Sequence, residues 1–221
     1  MKIVTDLFSS EIVIDTDIVS SVIIENPHVF MQLLKKIYNS VNGEEDGIIL
    51  SDNNSIIKSS KYIELISSYV PFDINEKRLL NKINSLLEKE AINEVNYNDT
   101  MSILASIERF ISKLSDLLPY IIDCSNINIS SLIKMCGIAI YDDANSDIER
   151  IFNYMTLVRD LLGEKLFIFV NMHSFFMFSD IQLFIDTVID HKFYVLLLDG
   201  NEYDKLENTR RFIIDKDLCI I

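Results

Sequence analysis

KLFIFVN at positions 165–171 and YVLLLD at positions 194–199 are two continuous apolar runs near the end of the chain. A strand that is apolar on both faces belongs in a parallel sheet, because crossover helices cover both faces of such a sheet. Helical spacing of the apolar residues before and between the two runs predicts helices over 148–162 and 180–189. This alternation predicts an α/β fold with a parallel sheet.

Shorter apolar and β-branched runs predict further strands elsewhere in the chain. Between them, Asn26-Pro27 supplies a cap and a first-turn proline for a helix that continues to about Val41, and 129–135 has the pattern of a short helix. The last two predicted strands are expected at sheet edges. The predicted strands are residues 3–4, 12–14, 19–24, 48–50, 56–57, 62–66, 137–141, 212–214 and 218–221.

The middle of the chain has a different pattern. Apolar residues recur at helical spacing from Asn75 to Val95 and again after the polar break at 96–98. Two long helices with a short connection are expected to fold back as an antiparallel hairpin. We therefore predict a helical leg domain at 72–123 and an α/β head domain formed by 1–71 and 124–221.

Composition excludes several classes of protein. The 221 residues include only 5 Gly, 3 Pro and 3 Cys, which argues against collagen-like, disordered and disulfide-scaffold chains. No uncharged stretch is long enough to span a bilayer, and four acidic residues within the first 20 argue against a signal peptide. We expect a cytoplasmic protein with reduced, mostly buried thiols.

The net charge of −14 argues against a nucleic-acid partner when it is taken alone. The charge is unevenly distributed, however. Residues 58–113 contain eight basic and eight acidic side chains, so the whole excess of negative charge lies outside that stretch. A DNA contact would have to be a local basic surface, and an ordinary solvated helix face is the alternative explanation.

Two patterns suggest chemistry but have simpler explanations. The buried strand that ends at Asp199 is similar to strands of nucleotide-hydrolysing α/β folds, yet none of the five glycines lies in a phosphate-binding loop. Asp199 is then expected only to end a strand. His173-Ser174 has the residue types of a base and a nucleophile, but the sequence shows neither a strained turn nor an orienting acid for the pair. We expect structural roles for His173 and for the other two histidines, His28 and His191.

The densest carboxylate group is Asp142, Asp143, Asp147 and Glu149. A calcium loop is disfavoured here, because Ile148 stands where the turn glycine should be. Ser146 with Glu149 has the spacing of a capping box, so the acids are expected at a helix N-terminus.

Several segments resemble one protein family in their order along the whole chain. The chain resembles the small form of the Csn-family spacer-acquisition protein of type II-A CRISPR systems. The segments that carry the resemblance are Phe30-x-x-Leu33-Leu34-x-x-Ile37-Tyr38, Lys77-x-Leu79-Leu80-x-x-Ile83 through Leu87-Glu88, Leu132-Ile133-Lys134-x-x-Gly137-Ile138, 165–171 and 194–198.

The resemblance implies a head domain with a degenerate P-loop-like α/β fold, in which helices pack on a mixed sheet, and a leg formed by a long α-helical hairpin. It implies a homotetrameric ring with a basic inner surface that encircles double-stranded DNA and favours free ends, without catalysis and with no bound nucleotide. It also implies two protein partners in spacer capture, the adaptation integrase and the type II effector nuclease. Lys134, Arg150, Arg159 and Lys165 match basic positions of the family, whereas Ala139 stands at a position that is commonly basic in relatives.

Two further assignments complete the predicted sites. Lys58 and Lys61 are added as DNA contacts on charge clustering alone. The resemblance also implies calcium at the junction of leg and head, but 121–126 retains only Asp123 as a carboxylate, and a hard cation needs several oxygen ligands. Two alternatives stay open: a protein-interaction scaffold that uses the hairpin, and a diverged nucleotide hydrolase that uses Asp199.

Overall fold

The structure is a computed structural model that describes residues 1–44, 47–120 and 127–220. The chain folds into two compact units, Met1–Phe72 with Ala144–Ile221, and Asp73–Asp143. The described strands are β1 (Lys2–Val4), β2 (Ile12–Val13), β3 (Val19–Ile24), β4 (Ile49–Asp52), β5 (Ser55–Ile57), β6 (Ile63–Ile66), β7 (Leu166–Val170), β8 (Tyr194–Asp199) and β9 (Thr209–Ile214).

The first unit contains a five-stranded sheet in the order β6-β7-β8-β3-β9, and every neighbouring pair in it is parallel. A smaller antiparallel sheet has the order β2-β1-β4-β5. The predicted α/β class and the parallel arrangement of the buried strands are therefore confirmed, with β9 at one edge. The expected single mixed sheet is instead two sheets, one parallel and one antiparallel. The predicted strand at 218–221 is reduced to a single bridge between Ile220 and Ile214, and Ile221 lies outside the described residues.

Strands β7 and β8 are buried on both faces, as their continuous apolar sequences predict. On one face, Ile168 and Leu196 belong to a core cluster shared with the small sheet and with helix α1 (Pro27–Asn42). On the other face, the rings of Phe167 and Phe169 make edge contacts with Phe193 and Phe184, at centroid distances of 5.8 and 5.2 Å. Each large side chain buried in this way contributes about 2 kcal/mol.

The helices begin where the capping residues indicate. Asn26 accepts hydrogen bonds from the backbone N–H groups of His28 and Val29, and Ser146 accepts one from Glu149 at 3.1 Å. The Glu149 carboxylate accepts the backbone N–H of Asn145 at 2.7 Å, so this acid does cap the helix. The helices are α1 (Pro27–Asn42), α2 (Ser59–Tyr62), α3 (Lys77–Ala91), α4 (Tyr97–Ser115), α5 (Ile129–Met135), α6 (Asp147–Leu162) and α7 (Phe178–Asp190).

The second unit contains α3, α4 and α5. Helix α3 packs against α5, and the Ser130 hydroxyl donates to the Glu88 carboxylate at 2.7 Å. The predicted strand at 137–141 is wrong. This segment is held instead by the side chain of Asn75, which accepts from the Ile140 N–H at 2.7 Å and donates to the Ile140 carbonyl at 3.2 Å.

The expected close packing of α3 along α4 is not observed among the described residues. The two helices are linked at their turn, where the Thr100 hydroxyl donates to the Ala91 carbonyl at 2.6 Å. Because α3 packs against α5 instead, 127–143 belongs with the helical unit, whereas the sequence placed 124–143 in the head. Two of the three thiols also differ from expectation, because Cys136 and Cys219 are exposed. Cys124 lies outside the described residues.

The buried hydrogen bond from the Tyr154 hydroxyl to the Glu64 carboxylate, 2.8 Å long, generates a stability prediction. Substitution Tyr154→Phe keeps the edge contact with the Phe72 ring but removes the donor to a buried carboxylate. We expect a loss of about 1–3 kcal/mol in the free energy of unfolding, measured by urea denaturation. Tyr38→Phe is the matched control, because Tyr38 is exposed, and it should change stability by less than about 0.5 kcal/mol. Equal stability of the two variants would contradict this prediction.

Candidate nucleic-acid interface

All strands of a parallel sheet begin on one side of the sheet and end on the opposite side. These two sides are called the amino edge and the carboxyl edge, in contrast to the outer strands β6 and β9. Four of the six predicted DNA contacts lie at the amino edge of the five-stranded sheet. Lys58 and Lys61 lie in and beside α2, which leads directly into β6, and Lys165 immediately precedes β7. Arg159 lies in the last turn of α6, the helix that leads into β7. These four residues are called the basic rim below.

Lys58 and Lys61 are exposed. The Lys61 ammonium lies 5.4 Å from the centroid of the Tyr62 ring, within the range of a cation–π contact. These two side chains are accessible to an anionic ligand.

Lys165 and Arg159 are anchored to the protein itself. Lys165 is only 8% exposed, and its ammonium group donates to the Lys61 carbonyl. The Arg159 guanidinium stacks 4.0 Å from the centre of the Phe193 ring and donates to the His191 carbonyl at 2.8 Å. Both side chains add positive charge to the basic rim, but their contacts within the protein keep them from extending toward a ligand. Lys58 and Lys61 are therefore the members best placed to contact phosphates directly.

The remaining two predicted contacts are Arg150 and Lys134. Arg150 is in the first turn of α6 and bonds to Asp147 at 2.6 Å. The nine positions between it and Arg159 correspond to two and a half helical turns, which places the two side chains on opposite faces and about 13 Å apart along the axis. Lys134 belongs to the second unit, in the last turn of α5.

Two basic residues of the same edge were missed by the sequence reasoning. Lys192 precedes β8, and the exposed Arg210 is the second residue of β9. The Lys192 ammonium donates to the Asp17 carboxylate at 2.5 Å, and this hydrogen bond raises the pKa of Lys192. The pKa of Asp15 is lowered, mainly by the backbone N–H of Asp17 and also by the positive charge of Arg210. Their position in the sequence could have identified them, because a basic residue lies just before or at the start of four of the five parallel strands.

The carboxyl edge is closed where a nucleotide would bind in a P-loop fold. Only Glu25 and Asn26 connect β3 to α1, too few residues for a phosphate-binding loop. The Asn26 side chain already accepts the first free N–H groups of α1, the donors that a phosphate would use. A β-carbon placed on Gly200 would lie 3.9 Å from the Phe30 ring and 3.6 Å from the Asn171 side chain, in ordinary van der Waals contact, so these two side chains lie directly beside Gly200.

Asp199 does more than end a strand. Its carboxylate lies 3.0 Å from Nδ1 of His173. The Asp199 side chain is 1% exposed and the His173 side chain is 8% exposed. The Tyr203 ring stacks on the His173 ring at 4.6 Å, and the negative charge of Asp199 adds to burial in raising the pKa of Tyr69. The expectation that His173 lacks an orienting acid is therefore wrong.

Asn171, which precedes the turn that contains His173, adopts a left-handed conformation with φ of 53°, a conformation that asparagine readily takes up. The Ser174 hydroxyl bonds to the Tyr203 hydroxyl at 3.3 Å. Sequence alone could not pair His173 with Asp199, because 26 positions separate them and only the adjacency of β7 and β8 brings them together.

Within the described ranges, no group of three or more histidine, cysteine or acidic side chains is arranged to hold a metal ion. The calcium segment 121–126 with Asp123 lies outside those ranges. None of the described helices is long and apolar enough to cross a bilayer.

The fold and the site define an α/β protein whose parallel sheet has a short, capped turn after β3 in place of a phosphate-binding loop and a basic rim at its amino edge. Residues 30–218 match the model of the CRISPR-associated protein family Cas_Csn2. The chain belongs to this family, which confirms the resemblance seen in the sequence.

Two known proteins illustrate the relationship. The chain is 22% identical over 209 residues to the CRISPR-associated protein Csn2 of Streptococcus agalactiae, with 90% of this chain and 88% of the relative aligned. It is also similar to the crystal structure of Stu0660 of Streptococcus thermophilus, with a TM-score of 0.58 and 15% identity. That match covers 97% of this chain and 74% of the other, and it shows a shared fold.

The two-residue turn after β3 and the Asn26 cap on α1 predict how the protein responds to nucleotide. We expect no saturable binding of ATP with magnesium up to about 1 mM, a concentration that corresponds to about −4 kcal/mol of binding free energy, in a calorimetric titration. The outcome that contradicts this is saturable binding that Asp199→Asn abolishes, which would revive the diverged-hydrolase alternative.

Proposed function

We propose that this protein is a non-catalytic, ring-forming binder of double-stranded DNA that acts in type II-A CRISPR spacer acquisition. The observation that carries the proposal is the gathering of Lys58, Lys61, Arg159 and Lys165 at one edge of the sheet. The family of the chain supports the CRISPR role. The short turn after β3 and the Asn26 cap on α1 support the absence of nucleotide chemistry.

The basic rim accounts for DNA binding by an acidic protein. Phosphate contacts release condensed counterions, so a few accessible lysines that act together generate affinity that depends steeply on salt. Such contacts carry no sequence information, as expected for a protein that handles DNA of any sequence. A closed ring repeats the rim in each subunit, and the acidic remainder of the chain is then expected to face away from DNA.

Helix α4 supports self-association. Its side chains Ile103 and Phe110 are 51% and 59% exposed. Together with Ile107, Ser102 and Ser106 they line an open groove of about 360 Å³. A long amphipathic helix that leaves this face open to solvent is a typical protein-interaction surface. We assign the face to a second copy of the chain, as the proposed homotetramer requires.

The same face favours the second candidate function, an interaction scaffold of the adaptation complex that does not itself bind DNA. In either case the proposed protein partners are the adaptation integrase and the type II effector nuclease. Calcium is kept as a proposal for Asp123 alone and is not needed for the contacts of the basic rim.

The DNA proposal is tested by charge reversal at the rim. Lys58→Glu with Lys61→Glu should weaken binding to linear duplex and reduce the slope of log affinity against log salt by about 2, because two phosphate contacts are lost. The matched control is Lys205→Glu with Lys216→Glu, which makes the same change of charge at two exposed residues that follow β8 and β9. Both double variants are titrated with the same fluorescent duplex. Equal effects of the two would remove the rim from the interface, and no binding by the unaltered protein at low salt would favour the scaffold.

The ring itself is tested by DNA topology. We expect tetramers to load on linear duplex and to avoid covalently closed circles of equal length, because a closed ring needs a free end to thread. Native mass measurements of the two mixtures record the outcome. Equal loading on both topologies would mean that the protein binds from the side of the duplex.

Assembly is tested at α4. Ile103→Ser with Phe110→Ser should convert tetramers into smaller species in sedimentation velocity runs, because it removes apolar area from the proposed contact. Met135→Ser, at a side chain that is 82% exposed on α5, is the control and should leave the mass unchanged. An unchanged tetramer in the α4 variant would exclude this face as a contact between copies.

A further inference from the structure

A groove in the first unit lies between the N-terminal ends of α6 and α7 and has a volume of about 380 Å³. Its apolar lining is exposed to an unusual degree: Phe175 is 56%, Met177 is 74% and Leu183 is 64% accessible. Ile148 and Phe176 complete this lining. Exposed apolar side chains that share one concave surface typically mark a contact site for another protein. The surface is called the Phe175 groove below.

The floor of the Phe175 groove is held in place by the core of the unit. The rings of Phe175 and Phe176 pack against the Tyr69 ring at centroid distances of 4.9 and 5.3 Å. Tyr69 is itself buried, and its hydroxyl donates to the carbonyl of Val170 at the end of β7. The exposed aromatic side chains are therefore fixed before any partner arrives, which lowers the entropy cost of binding.

The polar lining of the groove is acidic. Asp147 and Asp180 contribute carboxylates, and the described lining contains no lysine, arginine or histidine. Asp147 already binds a guanidinium group, that of Arg150 at 2.6 Å. Asp180 is exposed in the first turn of α7. The apolar floor between two carboxylates is complementary to a segment that presents apolar anchors flanked by cationic side chains.

The charge of the whole chain helps to choose between occupants. The two carboxylates of the groove attract a basic segment, whereas a second copy has 34 acidic side chains against 20 basic ones to present to it. Proteins that bind nucleic acid carry basic surfaces, so a partner in DNA capture would have the required charge.

We propose that the Phe175 groove docks a cationic amphipathic helix of a nucleic-acid-binding partner protein, an inference that rests on the proposed function for the existence of such a partner. Apolar side chains at one helix face would contact Phe175, Met177 and Leu183. Lysine or arginine side chains beside them would meet Asp180 and Asp147. This is the helix-in-groove mode of recognition.

The test uses a synthetic, fluorescent 18-residue peptide, about five helical turns, with leucine at positions i, i+3, i+4 and i+7 and lysine between them. Two further peptides carry glutamate in place of lysine or serine in place of leucine. Anisotropy titrations of the full-length protein at about 0.15 M salt limit long-range charge effects to about 8 Å. We expect the cationic amphipathic peptide to bind at least about tenfold more tightly than either of the other two.

Variants locate the binding site on the protein. Leu183→Ser should weaken binding of the cationic peptide at least about fivefold, and Asp180→Asn about two- to fivefold. The matched controls are Ile56→Ser, at a side chain that is 78% exposed in β5, and Asp217→Asn near the chain end, and neither should change affinity. Thermal unfolding of every variant checks that the fold is retained.

Three outcomes would overturn the proposal: equal affinity for the cationic and anionic peptides, equal losses in groove and control variants, or a change of oligomeric mass in Leu183→Ser. A change of oligomeric mass in Leu183→Ser would assign the groove to a second copy of the chain. DNA titrations of the same variants separate this inference from the proposed function. If Leu183→Ser loses peptide binding but still binds DNA, the result supports the groove as the docking site. If the unaltered protein binds the peptide but never binds DNA, only the proposed function is removed.

Discussion

Burial of β7 and β8 on both faces is the constraint on which the first unit depends. Each strand places alternate side chains into two different cores, one shared with α1 and the small sheet, the other with α6 and α7. Because neither face tolerates a polar side chain, the register of these strands is fixed, and so is the position of everything that enters or leaves them. Within β7 and β8, the one charged residue is therefore Asp199, at the carboxyl end of β8.

The two edges have different chemistry. At the carboxyl edge, where α/β proteins usually bind ligands, the Phe30 ring and the Asn171 side chain lie beside Gly200, and the Asp199 carboxylate lies 3.0 Å from Nδ1 of His173. At the amino edge, basic residues precede the strands. Arg159 and Lys165 brace that edge through Phe193 and the Lys61 carbonyl, while Lys58 and Lys61 stay exposed.

The candidate site was only partly predictable. Family matching and charge clustering selected six residues. The fold brings Lys58, Lys61, Arg159 and Lys165 to the amino edge, puts Arg150 in the first turn of α6 and puts Lys134 in the other unit. Residues that are neighbours in a motif need not share a surface, because nine positions along α6 turn Arg150 away from Arg159. The Phe175 groove had no sequence signal, since its walls come from two helices that are distant along the chain.

The sequence by itself determined the elements whose causes are local. Continuous apolar runs made β7 and β8 buried strands, and Asn26, Pro27 and Ser146 set where helices begin, because capping acts within one turn. Tertiary structure decided what depends on strand order and packing. It paired His173 with Asp199, let Asn75 hold Ile140 in place of a strand, and packed α3 against α5. Such contacts join residues that are far apart in the sequence, and only the folded topology brings them together.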